Sequence, residues 1–167
     1  MRKIFFVFVL SCLSLAVFAQ KVGHVNTGIL LEEMAEVKSA NSSMEAYQKQ
    51  LVTKGQQMVQ SLQTEYNAFV AEVQKQTMAP KVQQEKQAAL QKKQQEIQAY
   101  EQEVQNKIGQ KREELLKPIL ARVDDAIKAV GKEGSFLFIF DVSIPNTILF
   151  AEESLDVTAD VKRKLGM

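Results

Sequence analysis

Apolar side chains recur every seven residues along the middle of the chain, in a stretch otherwise dominated by Gln, Glu, Lys and Ala. The positions so spaced are Met44, Leu51 and Met58, then Leu62 and Phe69, then Leu90, Ile97 and Val104, and finally Ile108 and Leu115. This spacing is typical of the seam of a coiled coil, and the intervening residue types favour helices. Gly55, Glu65 and Lys111 also fall at seam positions and weaken the pattern. The pattern predicts two long helices, over residues 41–77 and 81–117.

The two predicted helices meet at the sequence Thr77-Met78-Ala79-Pro80. Proline disrupts a helix interior but fits the first turn, so the second helix is predicted to begin beside it. Both helices span 37 residues. Equal arms around a turn predict an antiparallel coiled-coil hairpin that is about 55 Å long at 1.5 Å per residue. The 18 Gln within residues 48–110 are also compatible with a disordered segment, but the apolar periodicity favours helices.

The segments that flank the hairpin show strand patterns. Residues 21–26 predict a short strand, followed by a helix with Thr27 as its N-cap and with apolar spacing that runs through Met34 and Val37. The run Phe136-Leu137-Phe138-Ile139-Phe140 is entirely apolar and predicts a strand that is buried on both faces. Residues 147–151 predict a further strand after a turn. The flanking segments therefore predict a small α+β body with about three strands.

The body is divided in the sequence by the hairpin. We expect residues 20–39 and 118–167 to form the body and residues 40–117 to form the hairpin. A body of about 70 residues without disulfides is only marginally stable alone, and a three-stranded sheet leaves apolar edges open. The sequence therefore predicts that copies of the chain associate through the body, with strands meeting across subunits.

The first 19 residues have the pattern of a secretory signal peptide. Arg2-Lys3 is followed by an apolar run and by Val17-Phe18-Ala19, so cleavage is expected after Ala19. A lipoprotein signal that uses Cys12 and an uncleaved anchor are the alternatives. The apolar region continues past Cys12, and it is short for a membrane span. Without Arg2 and Lys3 the 21 basic residues become 19, against 20 acidic residues, and no cysteine remains.

The residue content argues against several kinds of site. One His and one Cys in the whole chain cannot form a Cys/His zinc site. A near-neutral charge argues against a nucleic-acid partner. The sequence has no Gly-rich phosphate loop, no nucleophile motif and no metal-ligand spacing. We therefore expect no enzyme activity, no use of ATP, no cofactor and no nucleic-acid partner.

The order of these segments resembles the Skp (OmpH-like) family of periplasmic chaperones. The resemblance rests on Lys21-Val22-Gly23-His24-Val25-Asn26, the polar hairpin, Phe138-Ile139-Phe140-Asp141 and Leu155-Asp156-Val157-Thr158-Ala159-Asp160-Val161, and it covers the mature chain. It implies a jellyfish-like trimer with a β-barrel-like body and three hairpins around a cavity. We expect the body core and the trimer contacts at Val22, Val25, Phe136, Phe138, Phe140, Ile148 and Phe150.

Positive charge is concentrated at the predicted hairpin tip, because residues 73–95 contain five lysines and one glutamate. Such a tip attracts acidic clients or an anionic membrane surface, at a strength that salt reduces. The alternative is that the lysines only keep the turn soluble. The candidate contact residues are Lys75, Met78, Lys81, Lys86, Lys92, Lys93 and Tyr100. Met44, Met58 and Phe69 are expected to fill the seam, whereas Tyr100 is expected to lie off it.

The resemblance implies an ATP-independent holdase of the periplasm that encloses unfolded outer-membrane β-barrel proteins and prevents their aggregation. Its partners would be those proteins, two further copies of itself and, weakly, an anionic membrane surface. Better-known members of the family are strongly basic, so the near-neutral charge of this chain weakens the carry-over of lipopolysaccharide binding and of strong electrostatic capture, and the sequence leaves lipopolysaccharide binding open. The alternatives are a structural or adaptor coiled coil that bridges folded envelope partners, and an envelope enzyme or an activator of wall hydrolases.

Overall fold

The computed structural model describes residues 21–76 and 78–167, and the predicted signal peptide with its cleavage site at Ala19 lies outside them. The described chain is mainly helical and contains a small two-stranded sheet. Its elements are the strand β1 (Val22–Val25), the helices α1 (Thr27–Glu33), α2 (Ala35–Gln74) and α3 (Pro80–Glu133), the strand β2 (Phe138–Asp141), a 3₁₀ turn (Glu153–Leu155) and the helix α4 (Thr158–Leu165).

The two strands pair in parallel although the long helices separate them in the sequence. Val22 lies opposite Phe138, and Val25 lies opposite Asp141. Parallel strands need a long crossover connection, and here the connection contains α1, α2 and α3. His24 of β1 also forms an isolated bridge with Asp156. The segments that precede and follow the long helices therefore meet in one sheet.

Contacts divide the described chain into two units. The body unit contains residues 21–32 and 121–167, and the helix unit contains residues 33–120. The buried apolar residues of the body unit are Val25, Leu30, Val123, Ala126, Val130, Val157 and Val161. Spacings of three or four residues place such side chains on one face of each helix, so short apolar stripes form this core.

Two of the three predicted strands differ from the prediction. Within the run predicted to be buried on both faces, Phe138 and Phe140 are exposed, so that prediction was wrong for the single chain. Residues 147–151 form no strand, and the backbone N–H of Thr147 donates to the carbonyl of Ile144 in a turn. A strand requires a neighbouring backbone to pair with, and no described segment of this chain pairs with residues 147–151.

The first helices also begin and end differently from the prediction. Asn26 caps α1 in place of Thr27, because its Oδ1 accepts a hydrogen bond from the backbone N–H of Ile29 at 3.1 Å. The apolar spacing predicted helix through Val37, but the chain is extended at Met34, where ψ is 126°. Met34 therefore separates α1 from α2.

The long helices differ from their predicted bounds, because α2 begins six residues early and ends three residues early, whereas α3 begins one residue early and continues to Glu133. Side-chain contacts join successively earlier residues of α2 to successively later residues of α3, so the two helices run antiparallel. Proline occupies the first position of α3, as predicted. A backbone N–H at this position has no partner within a helix, so proline loses no hydrogen bond there. The helix also continues through Pro118. We call α2 and the part of α3 in the helix unit the helix pair.

Candidate functional site

The body unit exposes large apolar side chains to solvent. Leu149 and Phe150 are 87% and 82% exposed, and the rings of Phe138 and Phe140 lie 6.1 Å apart between centroids. We call the following six residues the exposed body residues: Leu137, Phe138, Phe140, Ile144, Leu149 and Phe150. A concentration of large apolar side chains on a surface usually marks an interaction site. The exposed body residues are therefore the first candidate surface.

The seven residues predicted for the body core and trimer contacts fall into three groups. Val25 is buried, Val22, Phe136 and Ile148 are half-buried, and Phe138, Phe140 and Phe150 are exposed. Only Val25 is thus a core residue within the single chain. Contact with another copy of the chain stays a prediction for the others.

The half-buried ring of Phe136 is held between backbone segments. A Cβ atom added to Gly23 would lie 2.8 Å from Phe136 Cε1, so the strand and the ring meet only because this residue is glycine. The ammonium of Lys21 lies 4.1 Å from the ring centroid and donates to the carbonyl of Gly134 at 3.2 Å. Phe136 therefore has a structural role beside β1.

Asp141, at the end of β2, ties that strand to α1. The hydroxyl of Thr27 donates to Asp141 Oδ2 at 2.6 Å, and the backbone N–H of Ser143 donates to Oδ1 at 2.9 Å. Partial burial acts to raise the pKa of Asp141, but the hydrogen bonds from Thr27 and Ser143 together lower it below the ordinary value of 3.8. The arrangement is a structural clasp, and it explains why an aspartate follows the apolar run.

Two of the predicted tip lysines are engaged within the helix pair. Lys86 Nζ lies 2.6 Å from Glu72 Oε2, and Lys93 forms an ion pair with Glu65. The hydrogen bond from Lys93 is the main cause that lowers the pKa of Glu65. These ion pairs link α3 to α2, so the charges of Lys86 and Lys93 are partly neutralised by carboxylates of the same chain and are less available to another molecule.

The other predicted tip residues are more accessible. Lys75 and Lys81 are exposed, and neither forms an ion pair with another described residue. Lys92 is exposed and lies 3.9 Å from Glu96, and Met78 is half-buried. Lys75, Lys81, Lys92 and Met78 therefore remain candidate contact residues at the end of the helix pair.

Tyr100 lies in the seam, and its predicted position off the seam was wrong. Its side chain is only 6% exposed, and its hydroxyl donates to the carbonyl of Leu51 at 3.0 Å. Gly55 faces the ring and leaves room for it. A missed signal was available, because Tyr100 lies three residues after Ile97 and four residues before Val104, the a/d spacing of a coiled-coil seam. A buried tyrosine cannot serve as a surface contact, so Tyr100 leaves the candidate set.

The described residues contain neither a metal-binding cluster nor a membrane-spanning helix. Among residues 21–76 and 78–167, no group of three His, Cys, Asp or Glu side chains is placed to hold a metal ion. Within the same ranges, none of the helices combines the length and the apolar character that crossing a membrane requires.

Comparison with known proteins identifies the family. The model of the family described as outer membrane protein (OmpH-like) matches residues 21–165. The chain belongs to the OmpH-like family. The match confirms the family resemblance drawn from the sequence, and it spans both the body unit and the helix pair.

A solved structure supports the OmpH-like fold. A protein of Caulobacter crescentus CB15, described as a candidate outer membrane chaperone (OmpH-like), superimposes with a TM-score of 0.73 at 18% sequence identity. The superposition covers 87% of this chain and 83% of that one. None of the curated proteins compared with the chain matches it. At this identity the likeness concerns the fold alone.

Proposed function

We propose that this OmpH-like protein is an ATP-independent holdase chaperone that acts in the periplasm after cleavage near Ala19. It encloses unfolded outer-membrane β-barrel proteins and prevents their aggregation on the way to the outer membrane. The main support is the family match over residues 21–165. The description of the Caulobacter crescentus CB15 protein as a candidate chaperone points the same way.

We further propose that three copies associate through their body units. The exposed body residues support this association, since Leu149 and Phe150 are almost wholly open in the single chain. Covering such side chains is favourable by about 25 cal/mol per Å² of apolar surface. Residues 147–151, which pair with no described segment of their own chain, would gain a partner strand from a neighbouring copy.

The helix pairs of the three copies form the holding device in this proposal, each acting as a coiled-coil hairpin. An unfolded β-barrel exposes alternating apolar residues and aggregates by edge pairing. Many weak contacts from the three helix pairs, which we call the arms, act together at a high effective concentration. Lys75, Met78, Lys81 and Lys92 at the ends of the helix pairs provide contacts with clients and a weak contact with anionic membrane surfaces.

An arm deletion tests the holding role. The chain without residues 45–115 should still associate through its body unit but should no longer suppress the aggregation of a urea-unfolded outer-membrane barrel diluted into buffer. The measurements are turbidity and, for the assembly, light scattering. Protection by the deleted protein equal to that of the full chain would show that the arms are not the holding device.

The adaptor alternative predicts a different binding pattern. A structural coiled coil that bridges folded partners would bind one folded envelope protein in a fixed ratio and would not discriminate in favour of unfolded chains. Comparing the folded and urea-unfolded forms of the same barrel separates the two functions. The holdase binds the unfolded form alone.

A further inference from the structure

The helix pair has two different faces on either side of its apolar seam. One face carries the interhelical ion pairs of Lys86 with Glu72 and of Lys93 with Glu65, and a shallow groove there also includes Lys54. The opposite face is built from uncharged residues over most of its length. The two faces therefore suit different partners.

Three apolar side chains form a stripe along the uncharged face. Val52, Val59 and Tyr66 are seven residues apart on α2 and are 56%, 52% and 52% exposed. They are not the seam residues, since Leu51 is buried and Met58 is half-buried between the helices. A surface helix has no need of a second apolar stripe for its own packing. The stripe is therefore available to a partner.

Two grooves follow this stripe between α2 and α3. Their volumes are about 550 and 480 Å³, and they overlap because both include Val59 and Gln63. The second groove has no charged residue in its lining, and the first has only Glu101, near one end. We call the following surface the glutamine face: Val52, Val59 and Tyr66 with Gln56, Gln63, Gln87, Gln91 and Gln94.

The glutamines give this face a specific hydrogen-bonding character. Each Gln amide carries both a donor and an acceptor group, as a peptide bond does. An extended chain outside a sheet has backbone N–H and C=O groups that bond only to water, and they need protein partners wherever binding removes that water. The face thus offers apolar contacts to side chains and amide contacts to a backbone.

We propose that the glutamine face binds an extended, uncharged segment of an unfolded polypeptide. This proposal rests on the holdase function proposed above and specifies which surface of the helix pair makes contact. Tyr66 lies 14 positions after Val52, a distance of about 21 Å along the helix at 1.5 Å per residue. That length accommodates about six residues of an extended chain.

The composition of the face favours this occupant over two others. On this face α3 contributes glutamines and no exposed apolar stripe. A second helix pair packed against the stripe of α2 would therefore bury the Gln amides of α3. Buried amides without partners are costly. A lipid surface with anionic headgroups would find no cation in the lining of either groove.

A pair of lysine substitutions tests the proposal. Val59→Lys places a charge in the glutamine face, whereas Gln57→Lys places the same charge on the opposite face of the same helix. The probe is a fluorescein-labelled ten-residue peptide of alternating Val and Thr, and anisotropy gives its affinity. Val59→Lys should weaken binding about tenfold, the order expected for losing one buried Val side chain. Gln57→Lys should change it less than twofold.

Parallel measurements distinguish failure of this proposal from failure of the holdase function. Equal peptide affinity of both variants and the unchanged protein would show that the glutamine face is not the site. The same conclusion holds if the unchanged protein binds no peptide but still keeps an unfolded barrel soluble. In either case the holdase function stands. If the unchanged protein neither binds the peptide nor protects the barrel, both proposals fail. If Val59→Lys lowers the mass of the assembly, a second copy covers the face and the proposal is overturned. Circular dichroism verifies that both variants remain helical.

Discussion

Single residues in this chain act mainly by leaving room for a neighbouring side chain or by forming hydrogen bonds between segments that are distant in the sequence. Gly23 leaves room for Phe136, and Gly55 leaves room for Tyr100. Asp141 at the end of β2 accepts a hydrogen bond from Thr27 at the start of α1. These roles depend on which segments meet in space, so the sequence alone did not reveal them.

The two glycines predict opposite effects of the same substitution. A Cβ at Gly55 would lie 3.5 Å from the Tyr100 ring, an ordinary contact, so Gly55→Ala should stabilise the helix pair by up to about 1 kcal/mol through helix propensity. A Cβ at Gly23 would lie 2.8 Å from the Phe136 ring, so Gly23→Ala should destabilise the body unit by about 1–3 kcal/mol.

Urea unfolding followed by circular dichroism measures both effects. Gly109→Ala is the control for helix propensity alone, because no side chain or other backbone segment among the described residues lies within 4 Å of an added Cβ there. A Gly55→Ala variant less stable than the unchanged protein would contradict the described position of Tyr100.

The clasp at Asp141 predicts a pH dependence. Because the pKa of Asp141 is lowered in the folded protein, its charged form contributes stability above the ordinary value of 3.8. That contribution is lost as the pH falls through the lowered pKa. Asp141→Asn should reduce the free energy of unfolding at neutral pH by about 1.5–3 kcal/mol, the range for a lost hydrogen bond to a charged group.

The measurement is urea unfolding at pH 7 and at pH 3. The variant should lose less stability between the two pH values than the unchanged protein does. Asp124→Asn, which removes an exposed aspartate paired with Lys128, is the matched control. Equal losses for Asp141→Asn and the unchanged protein would argue against the clasp.

At the scale of elements, the helices were predictable and the strands only in part. The apolar repeat and the proline turn indicated α2 and α3, because local periodicity and propensity determine long helices. The cap at Asn26 was missed by one position, since Asn26 and Thr27 are both residue types that cap helices. The strand predicted at residues 147–151 was wrong because a strand depends on its neighbours, which local sequence does not encode.

The register of the helix pair predicts a charge-swap rescue. Lys93→Glu places like charges beside Glu65 and should lower the melting temperature of the helix pair by about 2–4 °C at low salt. Adding Glu65→Lys to the same chain restores opposite charges and should recover most of the loss.

Thermal unfolding monitored by circular dichroism provides the readout, and the difference should shrink at high salt. Lys92→Glu is the control, because Lys92 is exposed and its partner Glu96 lies on the same helix. If the double variant is no more stable than Lys93→Glu alone, α2 and α3 do not pair in this register.

At the scale of the whole molecule, the exposed body residues carry the case for assembly. An assembly that covers these residues would account for an apolar run whose pattern predicts burial but which is exposed in the single chain. The double substitution Leu149→Ser and Phe150→Ser should reduce the assembly to single chains. Leu120→Ser, which removes a side chain that is 48% exposed in the helix unit, should leave the assembly intact. Light scattering distinguishes these outcomes, and an unchanged mass for the double variant would place the contact elsewhere.

The most direct test of the account is the mass of the processed chain in solution, measured by light scattering alone and after addition of a urea-unfolded outer-membrane barrel. The account predicts three chains per particle in the first measurement. In the second it predicts a soluble complex of one barrel with three chains. A stable single chain at micromolar concentration, or a barrel that aggregates as fast as in buffer, would contradict it.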